Sequence, residues 1–241
     1  MRVFDSVSVG RGERTVAIGS LQQKALLTLL VANKGRSVSL DAIADEIWPD
    51  VRPRRWRGCI ATLANSLRTA AGDRDFVAST ARGYTLHRHD AAVCTDVDEL
   101  HRCLDEARQA EARGEGQPAE ERAQHALAIY GTGPWTTDYW GWNEAAAEAA
   151  RILATALLRR GAHVACITVL SRMIEDFDWD DGLWACLICA HHRLGSTRRA
   201  LELTAKAKLA VGAGSPALAG IEAQLSAPSS LDERVLVACS A

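Results

Sequence analysis

Apolar residues along this chain change their spacing twice. In "VFDSVSV" (3–9) apolar and polar positions interleave with a period near two, which predicts a strand. Gly10-Arg11-Gly12 reads as a turn, and "RTVAIG" (14–19) as a second short strand. From Leu21 the spacing lengthens. Leu21, Ala25, Leu26, Leu29 and Leu30 fall on one side of a helix that ends at Gly35. Ser39 has an N-cap side chain and precedes a second helix with Leu40, Ile43 and Ile47 as its stripe, stopped by Pro49. A third helix is predicted from about Arg54 to Ala71, with Gly72 just past its end. Phe76-Val77-Ala78, a turn at Ala81-Arg82-Gly83 and Tyr84-Thr85-Leu86 then form a hairpin. Three helices closed by a hairpin is the winged-helix plan, and two strands ahead of them match one subtype of it.

Beyond about Asp96 the strand period nearly vanishes. Helical segments are predicted at roughly 95–113, 118–130, 142–160, 163–176, 181–194, 196–210 and 215–226. Gly161 and Gly195 lie one tetratricopeptide period, about 34 residues, apart. Ala200 and Ala207 occupy that repeat's small positions, and Trp184-x-x-Leu187 matches its opening. Ile188, His191, Thr204 and Gly212 replace its other markers. The reading is a degenerate array of helical hairpins, whose apolar faces must stack on their neighbours. The predicted fold class is therefore mainly α: an α+β winged helix followed by an all-α, tetratricopeptide-like array.

Composition adds little to this until charge is divided along the chain. The 241 residues are 48% hydrophobic and 24% charged, ordinary for a globular protein, and no apolar run is long enough to span a bilayer. The start lacks the apolar run of a signal peptide, which points to a cytoplasmic protein. Seven cysteines, an odd number without the spacing of a disulfide scaffold, read as small buried hydrophobes. The net charge of −2 conceals an asymmetry. Residues 1–90 hold 14 Lys and Arg against 9 Asp and Glu, a balance of +5; residues 91–241 hold 14 against 21, a balance of −7. A basic first part suits phosphates, and an acidic second part suits protein.

Several segments tempt a chemical reading and fall short of one. "CLICAHH" (186–192) places Cys186, Cys189 and His192 on one helix, but without a second paired motif it reads as core rather than metal site. Asp180-Asp181 and Glu175-Asp176 read as a solvated loop, since nothing nearby supplies a nucleophile with its base. "GTGPW" (131–135) is too short for a nucleotide fingerprint and reads as a turn. Trp135, Tyr139, Trp140 and Trp142 are core or, alternatively, a protein-contact patch. No catalytic constellation, cofactor motif or metal site is expected, and no G-x-x-x-x-G-K-[ST] occurs.

The pieces "LQQKALLTLL", "LDAIADEIWPD", "IATLANSLRTAAG" and "ARGYTL" resemble the OmpR-type winged-helix effector domain, over residues 1–90. "DVDELHRCLDEA", "HALAIYGTGPW", "NEAAAEAARILATALLRRG" and "RRALELTAKAKLAVGAGSPAL" resemble the bacterial transcriptional activation domain, over 95–227, with a tail at 228–241. This order of domains is similar to small members of the Streptomyces antibiotic regulatory protein family. The resemblance implies a DNA-binding transcriptional activator rather than an enzyme. It implies homodimers on direct repeats of double-stranded promoter DNA, recruitment of RNA polymerase to a biosynthetic gene cluster, and no membrane partner. The alternative is a protein-interaction scaffold whose winged helix does not bind DNA.

In such a domain the third helix enters the major groove. Its inward face is expected at Ile60, Leu63 or Ala64, Leu67 and Ala71. Asn65 can address both groups of an adenine edge, and Thr62 can touch a thymine methyl. Ser66 and Arg68 can reach phosphates, as can Arg54, Arg55 and Arg57 at the helix start. Lys24 is a further phosphate contact, and Arg82 in the wing can enter the minor groove. Trp56, among the arginines, either packs on the neighbouring turn or stacks on DNA. Relatives often carry a basic residue at the positions of Asn65, Ser66 and Gln22, and some carry the wing arginine at the position of Thr80.

Overall fold

The computed structural model describes residues 1–4, 6–11, 14–87, 95–131, 141–212 and 214–225. Trp135, Tyr139 and Trp140, most of the 131–135 turn, Cys94 and the 228–241 tail with Cys239 lie outside them. Two compact units are present: residues 1–99 with 129–142, and residues 100–128 with 143–241.

In the first unit, β1 (Ser8–Arg11) and β2 (Arg14–Ala17) pair antiparallel, with Val9 opposite Val16. The strand expected at 3–9 starts later than its alternation implied. Arg2 bridges Ser8, so the chain doubles back within that stretch. Val3 and Phe4 are fully buried. α1 (Leu21–Ala32) is buried without interruption from Ala25 to Ala32, and Leu21, expected in its stripe, is exposed. α2 (Leu40–Ile47) starts as expected: the Ala42 N–H donates to the Ser39 hydroxyl at 3.1 Å. α3 (Trp56–Ala71) begins two residues after the expected start and buries Ile60, Leu63, Ala64 and Leu67. Ala71 is only half-buried.

β4 (Val77–Ser79) and β5 (Gly83–Leu86) form the expected hairpin. A third strand, β3 (Val38–Ser39), was not visible in the sequence, since two residues carry no period. It pairs antiparallel with β5, giving the order β3-β5-β4. Gly83 makes this pairing possible: a Cβ there would stand 2.0 Å from the Val38 carbonyl oxygen.

The second unit is helical. Residues 100–112 of α4 (Asp96–Ala112) and 116–128 of α5 (Gly116–Tyr130) belong to it. α6 (Trp142–Arg159), α7 (His163–Asp176), α8 (Asp181–Arg193), α9 (Thr197–Val211) and α10 (Pro216–Leu225) follow. Gly161 and Gly195, the repeat markers, end α6 and α8 in the same left-handed conformation, with φ of 80° and 78°. Ala200 and Ala207 are fully buried, as small repeat positions require. α8 is buried from Gly182 to Ala190, and α7, α9 and α10 pack against it. Its buried start is capped by Asp180, which accepts from the Leu183 N–H at 2.9 Å and pairs with Arg151 of α6. Two-pronged pairs, Arg108 with Glu148 and Arg160 with Glu120, fasten α4 and α5 to α6. Cys186 and Cys189 are buried on α8, and burial pushes the nearby Cys166 thiol up to about 12. No helix among the described residues is long and apolar enough to cross a membrane.

One carboxylate closes the first unit. Asp96 accepts from the Val3 and Phe4 N–H groups at 2.7 and 2.9 Å through one oxygen, and from the Val97 N–H at 3.0 Å through the other. The Phe4 ring meets Tyr130 and Trp142, with centroids 5.3 and 5.5 Å apart. Burial raises the Asp96 pKa above the ordinary aspartate value, against the three N–H donors that lower it. A native pKa above the unfolded one gives a contribution that is full below the unfolded value and declines as pH rises through the native value. Asp96→Ala strands two buried N–H groups and is expected to lower unfolding free energy by about 2–4 kcal/mol in urea titrations. The gap from the unsubstituted protein is widest in acid and narrows as the carboxyl ionises.

Candidate nucleic-acid interface

α3 stands on its partners through charge as well as apolar burial. Arg52, just ahead of it, pairs with Asp41 at 3.0 Å and with Asp45, both on α2, and these bonds, Asp45 first, raise its already high pKa. Its guanidinium lies 5.2 Å from the centroid of the half-buried Trp56 ring, and that of Arg57 lies 4.2 Å away. Trp56 therefore holds two arginines at the helix start rather than standing free for a base. The Trp56 N–H donates to the Pro53 carbonyl at 3.1 Å, which turns Arg54 and Arg55 into the approach to the helix rather than its first turn.

Arg54, Arg55 and Arg57 are all exposed. The first turn of α3 has no acidic residue, and the N-cap position, Arg55, makes no side-chain capping bond. Unshielded N–H groups, the positive end of the helix dipole and three cationic side chains thus coincide, an arrangement suited to phosphate.

Down from this start, Gly58, Thr62, Asn65 with Ser66, and Thr69 recur at three- and four-residue spacing along one stripe, opposite the buried Ile60, Leu63 and Leu67. Thr62 and Asn65 are exposed and Ser66 is half-buried. The hydroxyls along the stripe donate backwards: Thr62 to the Gly58 carbonyl at 3.1 Å, Ser66 to Thr62 at 3.0 Å, Thr69 to Asn65 at 3.0 Å. Each spends its one proton on the helix and keeps its lone pairs outward. Ser66 thus faces outward as an acceptor, the wrong polarity for a phosphate unless its hydroxyl turns.

Arg68 is half-buried and turned toward the hairpin. Its Nε–H donates to the Val77 carbonyl at 2.8 Å, one terminal nitrogen donates to the Asn65 carboxamide oxygen, and the other donates to the Ser79 hydroxyl at 3.3 Å. Arg82 is exposed at the hairpin tip. Sequence reasoning missed what shapes that tip. The Thr80 hydroxyl accepts from the Arg82 and Gly83 N–H groups at 3.3 and 3.1 Å and lies 2.6 Å from the Ser37 hydroxyl. A threonine three residues before a turn glycine is the local signal for this. Lys24 lies half-buried in the first turn of α1, apart from the α3 cluster in sequence.

Residues 95–210 match the family model of the bacterial transcriptional activator domain. The chain is 27% identical to regulatory protein DnrI of Streptomyces peucetius over 201 residues, covering 74% of this chain and 72% of DnrI. It is 29% identical to regulatory protein AfsR of Streptomyces griseus over 128 residues, 53% of this chain. The chain is similar to both of these Streptomyces regulatory proteins. It spans only 13% of that much longer AfsR. The fold is similar to that of Mycobacterium tuberculosis EmbR, solved in complex with a low-affinity phosphopeptide, with a TM-score of 0.71 at 22% identity over 93% of this chain and 64% of EmbR. Both relatives are regulatory proteins by name.

Gly58 is exposed on the α3 stripe, and a Cβ there would meet nothing within 4 Å. Packing gives no reason for a residue that weakens a helix. Gly58→Ala is expected to raise unfolding free energy by about 0.5–1 kcal/mol, read as a higher urea midpoint at unchanged slope.

Proposed function

We propose that this protein is a sequence-specific, DNA-binding transcriptional activator that works in the cytoplasm. α3 lies in the major groove. Arg54, Arg55 and Arg57 hold the phosphates at its start, with Lys24 as an outlying contact. Thr62, Asn65 and Ser66 face the base edges, and Arg82 carries the wing into the neighbouring minor groove, where a narrow A·T segment attracts arginine. Gly58 leaves the duplex room to approach the helix backbone. The basic first unit meets the promoter as one half of a homodimer on direct repeats. The acidic helical array meets RNA polymerase at a biosynthetic gene cluster.

The coincidence at the start of α3 carries this reading: three exposed arginines over an uncapped, acid-free first turn, directly above a stripe with no role in the core. Such a site binds by releasing counterions, so affinity falls steeply as salt rises. The test is fluorescence anisotropy of the full chain with a duplex from upstream of its own gene neighbourhood, between about 50 and 200 mM salt. Expected is tight binding to that duplex over an unrelated one. Arg57→Ala is expected to weaken both and to reduce the slope of log affinity against log salt by about one. Equal, weak binding to every duplex, unchanged by Arg57→Ala with Arg54→Ala, overturns the reading in favour of a protein-interaction scaffold.

A further inference from the structure

Asn65 is the one carboxamide of the outward α3 stripe, with a donor group and an acceptor on separate atoms, and unlike the stripe's hydroxyls it does not spend its donor on the helix. Its acceptor is already engaged. The carboxamide oxygen receives a hydrogen bond from Arg68, whose other two nitrogens are fixed on the Val77 carbonyl and the Ser79 hydroxyl. These bonds settle the orientation of the amide: the oxygen must face the guanidinium, because two donors cannot face each other. The NH2 group is left for the groove.

We infer that Asn65 reads its base as a donor alone and selects guanine at that position, with Arg68 as the positioning residue that imposes this choice. The inference rests on the DNA-binding reading above. A carboxamide with both groups available matches adenine, accepting from N6 and donating to N7. Here the oxygen that would accept from adenine N6 is held by a cation. Its second lone pair remains, but an incoming amine would bring its positive hydrogens beside the Arg68 charge. Guanine presents two acceptors, O6 and N7, to the same edge, and the two hydrogens of one NH2 group can address both. Cytosine offers only a donor there and meets the NH2 group donor to donor. Adenine opposite Asn65, the expectation drawn from the sequence, gives way to guanine in this proposal because of one contact three residues along the helix.

The test is selection of bound sites by the full chain from a randomised duplex library, with counts at each base position. The unsubstituted protein is expected to favour guanine over adenine at one position by about fivefold or more. Asn65→Ala should lose the preference at that position only. Asn65→Asp keeps an acceptor for Arg68 but turns an acceptor to the groove, and should move the preference from guanine to cytosine. Arg68→Met frees the carboxamide oxygen and should bring adenine back. Because Arg68 also ties α3 to β4, its variant is read beside a thermal melt, while the two Asn65 variants leave the Val77 and Ser79 bonds in place and decide the matter if Arg68→Met unfolds. Adenine preferred by the unsubstituted protein, or guanine retained in Asn65→Ala, overturns the inference while leaving DNA binding intact. Recovery of no site at all overturns the DNA-binding reading itself.

Discussion

The Arg68 guanidinium binds α3 to β4 with two of its nitrogens and holds Asn65 of α3 with the third, and the geometry of the candidate interface depends on that one group. Its bond to the Val77 carbonyl uses a backbone acceptor in β4, and its bond to Ser79 reaches the end of the same strand. Its ring neighbour is Tyr84 on β5, 6.0 Å away. Under the proposed function the helix and the hairpin must keep a fixed separation, since a misplacement of about 1 Å removes a hydrogen bond to a base edge. Apolar packing under Ile60 and Leu67 fixes the depth of α3 in the unit. The guanidinium fixes the helix against the hairpin, in a planar fork that a lysine ammonium could not reproduce.

Much of this fold is written in apolar spacing. The seven helices after residue 95 were each predicted within about two residues of where they lie, because a 3.6-residue stripe repeated over three or more turns is hard to mistake. Short and two-sided features were not legible. β3 is two residues long. α1 and α8 are buried around their circumference, so the stripe expected from Leu21 gave too little burial to one and the wrong exposure to its first residue. The sequence also named the residues of the α3 stripe, yet it could not assign what each one offers. Whether Arg68 faces solvent or Val77 is set by partners nine and eleven positions along the chain, and whether Asn65 presents an oxygen or an amide follows from where Arg68 is thereby held. Spacing along a helix carries no such information.

Charge and burial divide between the two units. The first exposes three arginines, Arg54, Arg55 and Arg57, at one helix start, while Arg52 is neutralised against Asp41 and Asp45 and so belongs to the scaffold. In the second, arginines are spent in pairs that join helices: Arg108 with Glu148, Arg160 with Glu120, Arg151 with Asp180. Paired in two prongs, such contacts add geometric definition where exposed ion pairs contribute little energy. A basic first part and an acidic array thus coexist in a chain of net charge −2.

The clasp at Asp96 has a consequence for how the protein is made. Val3 and Phe4 leave the ribosome well before the carboxylate that receives their amides, which follows 93 and 92 positions later, and the aromatic partners of Phe4 come later still. Synthesis therefore reaches the end of the β4–β5 hairpin with every helix and strand of the reader already present and its first two buried side chains still uncovered. A fragment cut at that point carries the whole element list of a winged helix and an open seam in its core. The boundary suggested by the change in periodicity is thus a boundary of pattern, and the compact unit is longer than the winged-helix pattern.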